Sequence, residues 1–265
     1  MPFTLAHAAA ALPFHRQRIV ISALIVGTFA PDFEYFLWMA PRSGFGHSFA
    51  GVFALTLPLG LAVLWLFHAL VKLPAIGLLP DGLRGRLDGH LKPFCWLGAW
   101  RILAIVGSML LGIATHLVWD WFTHRGSWLY WRWGFLRDEV RLPELGSVPH
   151  YKLLQHGSTV VGLAVLGIWF VGWYRGSADC SEARPVSPLR RRIVLSLLMA
   201  AALGGAAVRV VAFGRTSLRE AVGEGVCAFI ALVWWGMVGF GAVAILRGRV
   251  GPTDSRPNRQ KAIQE

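Results

Sequence analysis

Apolar residues in this chain fall in blocks long enough to cross a bilayer, and short polar stretches separate the blocks. A transmembrane helix needs about 20 mainly apolar residues. By this criterion the pattern predicts spans at about residues 49–71, 94–122, 158–174, 193–213 and 221–246, after an apolar stretch at 19–40. The chain is therefore predicted to be an all-α, polytopic transmembrane helical bundle with about six spanning helices and a short N-terminal helix.

The first forty residues allow two arrangements. Residues 1–14 are rich in alanine and end at Pro13 and the polar stretch 15–18, whereas residues 19–30 are apolar and run into Pro31 and Asp32. This region forms either a surface helix followed by one span, or a helical hairpin that turns at 15–18. Only the hairpin returns Asp32 to the level of His7, because its two arms would be roughly 15 and 20 Å long.

The motifs divide the chain into three parts. Residues 1–175 form a motif-bearing membrane core, and residues 176–246 contribute two C-terminal transmembrane helices with fewer polar residues. Residues 247–265 form a basic tail that is predicted to be disordered, because it is polar and contains little that could be buried.

Composition excludes several classes of protein. Hydrophobic residues make up 55% of the 265 residues and charged residues only 15%, which is not the composition of a soluble globular domain. In a soluble protein, the net charge of +12 would suggest binding to nucleic acid. Here the distribution of the positive charge among the loops fits membrane orientation better, so no nucleic-acid partner is expected. No CxxC pattern, Walker loop, Rossmann fingerprint or GxSxG elbow occurs in the sequence.

The distribution of lysine and arginine predicts the orientation. When the loops are assigned to alternate sides, one side holds sixteen of these residues and the other side eight. The richer side comprises Arg16, Arg18, Lys72, Arg84, Arg86, Lys92, Arg175, Arg184, Arg190, Arg191, Arg192, Arg247, Arg249, Arg256, Arg259 and Lys261. The positive-inside rule makes this side and the tail cytoplasmic, in a membrane that we expect to be the bacterial inner membrane. The outer face is then approached by Asp32, His47, His116, Asp120, His124 and His156.

His116 and Asp120 are the most informative pair. They lie in the outer third of the span at 94–122 and, four residues apart, project from one helix face. Imidazole and carboxylate are both good ligands for a divalent cation, so the pair forms either part of a metal site or a hydrogen-bonded pair that locks helices together. His124 lies about 12 Å along the helix from His116, so one ion does not easily hold both, and Asp120 can pair with either.

Other polar groups near this face have alternative interpretations. Asp32 and Glu34 are either site residues or solvated carboxylates at a helix end, and the turn before His47 is either part of a site or a cap formed by Ser48. Gln155 and Ser158 flank His156 and supply hydrogen-bonding groups of the kind that orient metal ligands. Arg209 and Glu224 are expected to form a structural ion pair.

Five motifs occur in an order that resembles a known family. They are MPFTLAH at the start, APDFEYF at 30–36, GHS at 46–48, THLVWDWFTH at 115–124 and QHGS at 155–158. Over residues 1–175 they resemble the bacterial membrane proteins of domain-of-unknown-function family 4184, a likeness that implies an architecture and no activity. The layout is more distantly similar to predicted membrane-bound metal-dependent hydrolases, although the GH turn is shorter here. That second likeness implies a set of metal ligands: His7, Asp32, His47, His116 and Asp120.

Three functions are compatible with these residues. The first is a hydrolase with a His/Asp metal site near the outer face, which uses zinc, or alternatively manganese or iron, and acts on a lipid or lipid-linked phosphoester while Glu34 or His124 moves protons. The second is a transporter or channel whose intramembrane His and Asp residues relay protons or ions, although no inverted repeat is visible. The third is an assembly protein in which the polar residues only hold helices together. The lipid bilayer is the partner common to all three, and the sequence does not determine the oligomeric state.

Overall fold

A computed structural model describes residues 4–14, 19–41, 44–87, 92–143, 146–178, 187–213 and 217–247, apart from the side chain of Arg219. The all-α bundle predicted from the sequence is confirmed, and five helices within these ranges are long and apolar enough to cross a membrane. The helices are α1 (Thr4–Phe14), α2 (Ile21–Phe29), α3 (Phe33–Trp38), α4 (Phe49–Gly77), α5 (Asp81–Leu87), α6 (Ala99–Thr123), α7 (Trp128–Arg132), α8 (His150–Gly176), α9 (Pro188–Ala212) and α10 (Leu218–Leu246).

The predicted first span is interrupted rather than continuous. Helix α2 ends at Phe29, a 3₁₀ turn follows at Ala30–Asp32, and α3 then covers only six residues. Proline has no N–H to donate and restricts the residue before it, so a regular helix does not continue through Pro31. The interruption places Asp32 in an irregular turn inside the bundle.

The hairpin arrangement of the N-terminus is the one observed. Helix α1 has 3₁₀ geometry and packs against α2, and the Thr4 hydroxyl reaches the Asp32 carboxylate at 2.6 Å. Thr4 and Asp32 therefore lie at the same level, as only the hairpin allows. The predicted turn at 15–18, like the predicted disordered tail after residue 247, lies outside the described residues.

Helix α6 is central to the bundle because two glycines let α2 approach its backbone. A Cβ on Gly112 would contact the carbonyl oxygen of Leu24, and one on Gly27 would contact the carbonyl oxygen of Met109. Both glycines therefore serve close packing of the kind that small residues permit in membrane helices. Around this contact the core is formed by Val20, Ala23, Ala30, Val52, Leu64, Ile105, Met109 and Ile113.

Helix α4 deviates from regular α geometry before Pro58, the first of its two prolines. Residues Val52–Thr56 form a π-helical stretch that ends two residues before this proline. The irregular turn is consistent with the missing N–H of proline. It also accompanies a contact with the preceding loop, because the Thr56 hydroxyl donates to the carbonyl of Gly46 at 2.8 Å.

The connection between α6 and α8 contains structure that the sequence does not predict. Helix α7 is followed by two antiparallel strands, β1 (Glu139–Leu142) and β2 (Gly146–Pro149). Three tryptophans in this connection, Trp128, Trp131 and Trp133, are exposed. Exposed tryptophans of this kind are typical of the headgroup level of a bilayer.

At the other end of the bundle, Arg86 and Arg191, two of the described arginines that were assigned to one side, contact neighbouring elements. Arg86 donates to the carbonyl of Tyr174 at 3.0 Å, and Arg191 lies 3.6 Å from Asp81. This grouping agrees with the predicted alternation of the loops, whereas the cytoplasmic location of that end remains a prediction.

Candidate metal centre

Four motifs that are separate in the sequence meet at the end of the bundle where α6 terminates. Asp32 and His116 are fully buried, with exposed fractions of 0% and 1%, and His7 and Asp120 are exposed by only 7% and 8%. His47 completes the group, with a partly exposed side chain. The structure therefore brings together all five residues of the predicted ligand set.

Helix α6 supplies the central pair. Gly112, His116 and Asp120 follow one another at four-residue spacing, so they share one face of the helix. His116 Nε2 lies 3.2 Å from Asp120 Oδ2, while Nδ1 of the same ring lies 2.8 Å from the carbonyl oxygen of Thr28. Because a carbonyl only accepts, Nδ1 carries the proton, and in the neutral ring Nε2 presents its lone pair to the cluster.

Asp32 enters from the 3₁₀ turn on the other side of the ring. Its Oδ2 accepts the hydrogen bond from Thr4, whereas its Oδ1 has no hydrogen-bond partner and lies 3.7 Å from His116 Nε2. The carboxylate is thus fixed through one oxygen and offers the other to the cluster. Neither Thr4 nor Thr28 was predicted as a site residue, although Thr4 lies within the MPFTLAH motif and Thr28 shortly before APDFEYF.

His47 is presented by a turn that Glu34 holds in place. Glu34 Oε2 accepts from the backbone N–H groups of Gly44 and Gly46, at 3.3 and 3.1 Å. His47 Nε2 then lies 3.7 Å from Asp32 Oδ1 and 3.5 Å from Asp120 Oδ2. The shorter GH turn therefore still delivers its histidine to both carboxylates.

The predicted cap at this turn is also present. Ser48 Oγ accepts from the backbone N–H of Gly51 at 3.0 Å and donates to the carbonyl of Phe45 at 2.7 Å. The two interpretations of this motif are therefore compatible, because one residue caps the helix while its neighbour faces the cluster.

His7 and His124 approach the remaining oxygen of Asp120. His7 stacks on the ring of His116, with 4.1 Å between ring centroids, and its Nε2 lies 3.9 Å from Asp120 Oδ1. His124 Nδ1 lies 3.2 Å from the same oxygen and 3.2 Å from the Thr123 hydroxyl. Asp120 thus directs one carboxylate oxygen towards His116 and the other towards His124. The sequence left open which of these two histidines lies beside Asp120, and in the structure both do.

The predicted supporting residues on α8 are less closely connected to the cluster. His156 is exposed, and the Ser158 hydroxyl donates to the backbone carbonyl of Gln155 at 3.2 Å. Ser158 also lines a groove that His7 borders. The supporting role predicted for these three residues stays a prediction.

Within the described residues, two overlapping groups have the spacing of metal ligands. One is His7, His116 and Asp120, and the other is Asp32, His47 and His116; within each group the ligand atoms lie within 4.8 Å of one another. Bond lengths of about 2.1 Å place neighbouring ligand atoms about 3.0–3.4 Å apart. The 3.2 Å between His116 Nε2 and Asp120 Oδ2 lies within this range, and four other separations in the cluster, 3.5–3.9 Å, are longer by up to about half an ångström.

These features define a membrane-type helical protein with a buried group of histidines and aspartates that can hold a metal ion. The chain belongs to the family described as Domain of unknown function (DUF4184), whose model matches residues 1–246. The resemblance predicted from residues 1–175 is therefore confirmed and extends through the last two spans. Comparisons with curated proteins and with solved structures give no match.

Proposed function

We propose that this protein binds one divalent metal ion at the His/Asp cluster and hydrolyses a lipid or lipid-linked phosphoester. The observation that carries the proposal is the state of the buried polar atoms. His7 Nε2, Asp32 Oδ1, His116 Nε2 and Asp120 Oδ1 are all buried without a hydrogen-bond partner. Within the cluster, His7 Nε2 lies 3.9 Å from Asp120 Oδ1, and Asp32 Oδ1 lies 3.7 Å from His116 Nε2. Buried polar atoms nearly always have a partner, so these neighbouring atoms call for a shared one.

The hydrogen-bonding pattern favours a metal over a proton as that partner. His116 donates through Nδ1 to a backbone carbonyl, and metal-binding histidines characteristically donate their second nitrogen in this way. This bond leaves His116 one lone pair, at Nε2, which belongs to both ligand groups. We therefore infer a single ion rather than two.

Charge balance supports the same conclusion. Asp32 and Asp120 bring two carboxylates into one buried site, and burying unpaired charge costs several kcal/mol per ion. A divalent cation would neutralise both carboxylates while the histidines remain uncharged. Donors that are all nitrogen or oxygen suit zinc, and they also suit manganese or iron.

A bound divalent cation supplies Lewis acidity and makes water a stronger acid. The residues of the chain would orient the reactants and move protons. His124 suits proton transfer because it lies against Asp120 while 29% of its side chain is exposed, which leaves it a route to water. Glu34, the other residue predicted for this task, already binds the turn before His47, so we assign it a positioning role.

The location of the cluster favours a substrate from the bilayer. The cluster lies at the end of α6, next to the connection that carries Trp128, Trp131 and Trp133. Tryptophans concentrate at headgroup depth, where the phosphoester bonds of lipids are found. We infer that this end faces away from the cytoplasm, because Arg86 and Arg191, which belong to the side richer in arginine, lie at the other end.

Metal analysis of the purified protein tests the proposal. Wild type is expected to carry about one metal ion per chain, and the double variant His116→Ala/Asp120→Ala almost none, because two of five ligands are lost. His150→Ala is the control, since this histidine stacks on Phe135 outside the cluster. Equal and negligible metal in wild type and double variant would refute the metal site.

Activity measurements separate hydrolysis from the other two functions. In proteoliposomes that contain lipid phosphoesters, we expect wild type to hydrolyse the ester bond and release a water-soluble product, which is phosphate from a monoester or a headgroup fragment from a diester, and we expect Asp120→Asn to lose this release. Proton or ion flux that is lost in Asp120→Asn without any ester hydrolysis would favour a transporter. Reduced stability as the sole effect of this substitution would favour an assembly role.

A further inference from the structure

An apolar groove runs along the side of the bundle next to the cluster. It has a volume of about 620 Å³ and lies between α1, α6 and α8. Volumes of about 300–1,000 Å³ are typical of small-molecule sites. Its lining comprises Ala6, His7, Ala9, Ala10, Thr115, Val118, Trp119, Leu153, Leu154, Gly157, Ser158, Val161, Gly162 and Val165.

The groove presents an almost entirely apolar surface, because the hydroxyl groups in its lining are bonded within their own helices. The hydroxyl of Thr115 donates to the carbonyl of Gly112, and that of Ser158 donates to the carbonyl of Gln155. Both hydroxyl protons are thereby used within their own helices. His7 is the third polar residue, and it is the one that connects the groove with the cluster, because its Nε2 lies 3.9 Å from Asp120 Oδ1.

The length of the groove matches one leaflet of a bilayer. On α8 its lining extends from Leu153 to Val165, which corresponds to about 18 Å of helix. Half of the hydrocarbon core of a bilayer is about 15 Å thick. Because α6 and α8 both qualify as membrane spans, the medium next to the groove consists of lipid acyl chains.

From these observations we propose that the groove binds an acyl chain of a membrane lipid and so holds the lipid beside the cluster. The proposal that this lipid is the substrate rests on the proposed function. The proposal that the groove binds a lipid rests only on the groove itself. The shape, apolar lining and length of the groove fit an acyl chain. Because His7 lines the groove and lies close to Asp120, a chain bound there lies next to the cluster. The seven residues that α8 contributes recur at three- to four-residue intervals, so one face of this helix forms its side of the groove.

Two glycines of α8 provide a matched pair of variants. A Cβ on Gly157 and a Cβ on Gly167 would both meet no atom within 4 Å, so neither substitution forces the helix to move. Gly157 lines the groove, whereas Gly167 is exposed outside it. Gly157→Leu therefore fills the groove, and Gly167→Leu adds the same side chain elsewhere on the helix.

The test uses phosphatidylglycerol that carries a diazirine in its acyl chain, with the full-length protein in nanodiscs. After illumination, labelled peptides are quantified relative to labelling of α9, which reports ordinary contact with surrounding lipid. In wild type we expect enriched labelling at residues 6–10 and 153–165. In Gly157→Leu this labelling should fall about fivefold or more, because the lipid loses apolar contact area in the groove. In Gly167→Leu the labelling should stay within about twofold of wild type. Equal effects of the two substitutions, or no enrichment over α9, would overturn the proposal.

Two further arms keep this test separate from the metal site. Neither His116 nor Asp120 lines the groove, so enrichment there in the double variant His116→Ala/Asp120→Ala, which is expected to lack metal, supports the lipid site even if hydrolysis fails. Wild type with bound metal but without groove labelling overturns the lipid site and leaves the metal site standing. If a second copy of the chain covers the groove, residues 153–165 are protected from the lipid probe and become cross-linked between copies, which also overturns the proposal.

Discussion

Gly112 offers the sharpest test of how the bundle builds its cluster. A Cβ at this position would contact the carbonyl oxygen of Leu24 and would lie 2.8 Å from the backbone nitrogen of Thr28. Ordinary van der Waals contact for such a Cβ begins at 3.4 Å. In Gly112→Ala, α2 must therefore retreat from α6 by at least about 0.6 Å, the difference between these two distances, because backbone atoms cannot rotate out of the way.

This retreat would act directly on the hydrogen bond that fixes His116. The Nδ1 to carbonyl distance of 2.8 Å would lengthen to about 3.4 Å, beyond the usual range of 2.7–3.2 Å. An unsatisfied buried group costs about 1–3 kcal/mol, and overpacking costs about 1–3 kcal/mol more. We therefore expect Gly112→Ala to lose about 2–6 kcal/mol of stability. Because a metal-binding histidine loses its orienting partner, we also expect it to lose about 10–100-fold in metal affinity.

Thermal unfolding in detergent, followed by tryptophan fluorescence, and calorimetric zinc titration measure the two effects. Gly107→Ala is the control, because it lies on the same helix and its Cβ would meet nothing within 4 Å. Replacing glycine by alanine in a helix gains up to about 1 kcal/mol, so the control should be as stable as wild type or more stable. If Gly112→Ala matched Gly107→Ala in both assays, the close approach of α2 and α6 would not be what orients His116.

Two further predictions concern the elements that bring ligands to the cluster. Glu34→Ala should weaken metal binding about 10-fold in calorimetry, since His47 loses the carboxylate that anchors its turn. The control Asp81→Ala should bind metal as wild type does, because Asp81 contacts Arg191 at the other end of the bundle; an unaffected Glu34→Ala would mean that the turn holds its shape alone. Removing metal with a chelator should increase amide hydrogen exchange in α1, which is attached to the cluster through His7, more than in α9; equal exchange with and without metal would argue against this coupling.

The hydropathy pattern of the sequence was sufficient to predict five of the spans, and its periodicity was sufficient to predict the central pair. Four-residue spacing alone places His116 and Asp120 on one face, and long apolar blocks alone predict the spans. Bounds were less predictable: the helix at 49–71 continues to Gly77, and α8 begins at His150 rather than near residue 158. Helix ends depend on capping and on packing against neighbouring elements, which a hydropathy pattern does not contain.

The contacts between segments could not be predicted from the sequence. Nothing in the pattern around residues 15–18 distinguishes a hairpin from a surface helix, because polar residues end either one. The hydrogen bond between Thr4 and Asp32 distinguishes them, and it depends on α1 folding back beside α2. Likewise, the sequence does not show that Gly112 is needed for helix packing. This role follows from the structure, in which the backbone of Leu24 lies directly against Gly112.

The alternative that the cluster only holds helices together can be weighed against the same geometry. Polar residues that join membrane helices do so through hydrogen bonds, and such bonds are short, about 2.7–2.9 Å when one partner is charged. Thr4 with Asp32, at 2.6 Å, and His116 with Thr28, at 2.8 Å, are of that kind, and both lie on the periphery of the cluster. Towards its centre the separations increase to 3.2–3.9 Å, and four of the facing atoms are buried without a hydrogen-bond partner. In a metal site, short hydrogen bonds from surrounding residues orient the ligands, and the ligand atoms themselves are separated by the space that the ion fills. The cluster has this arrangement.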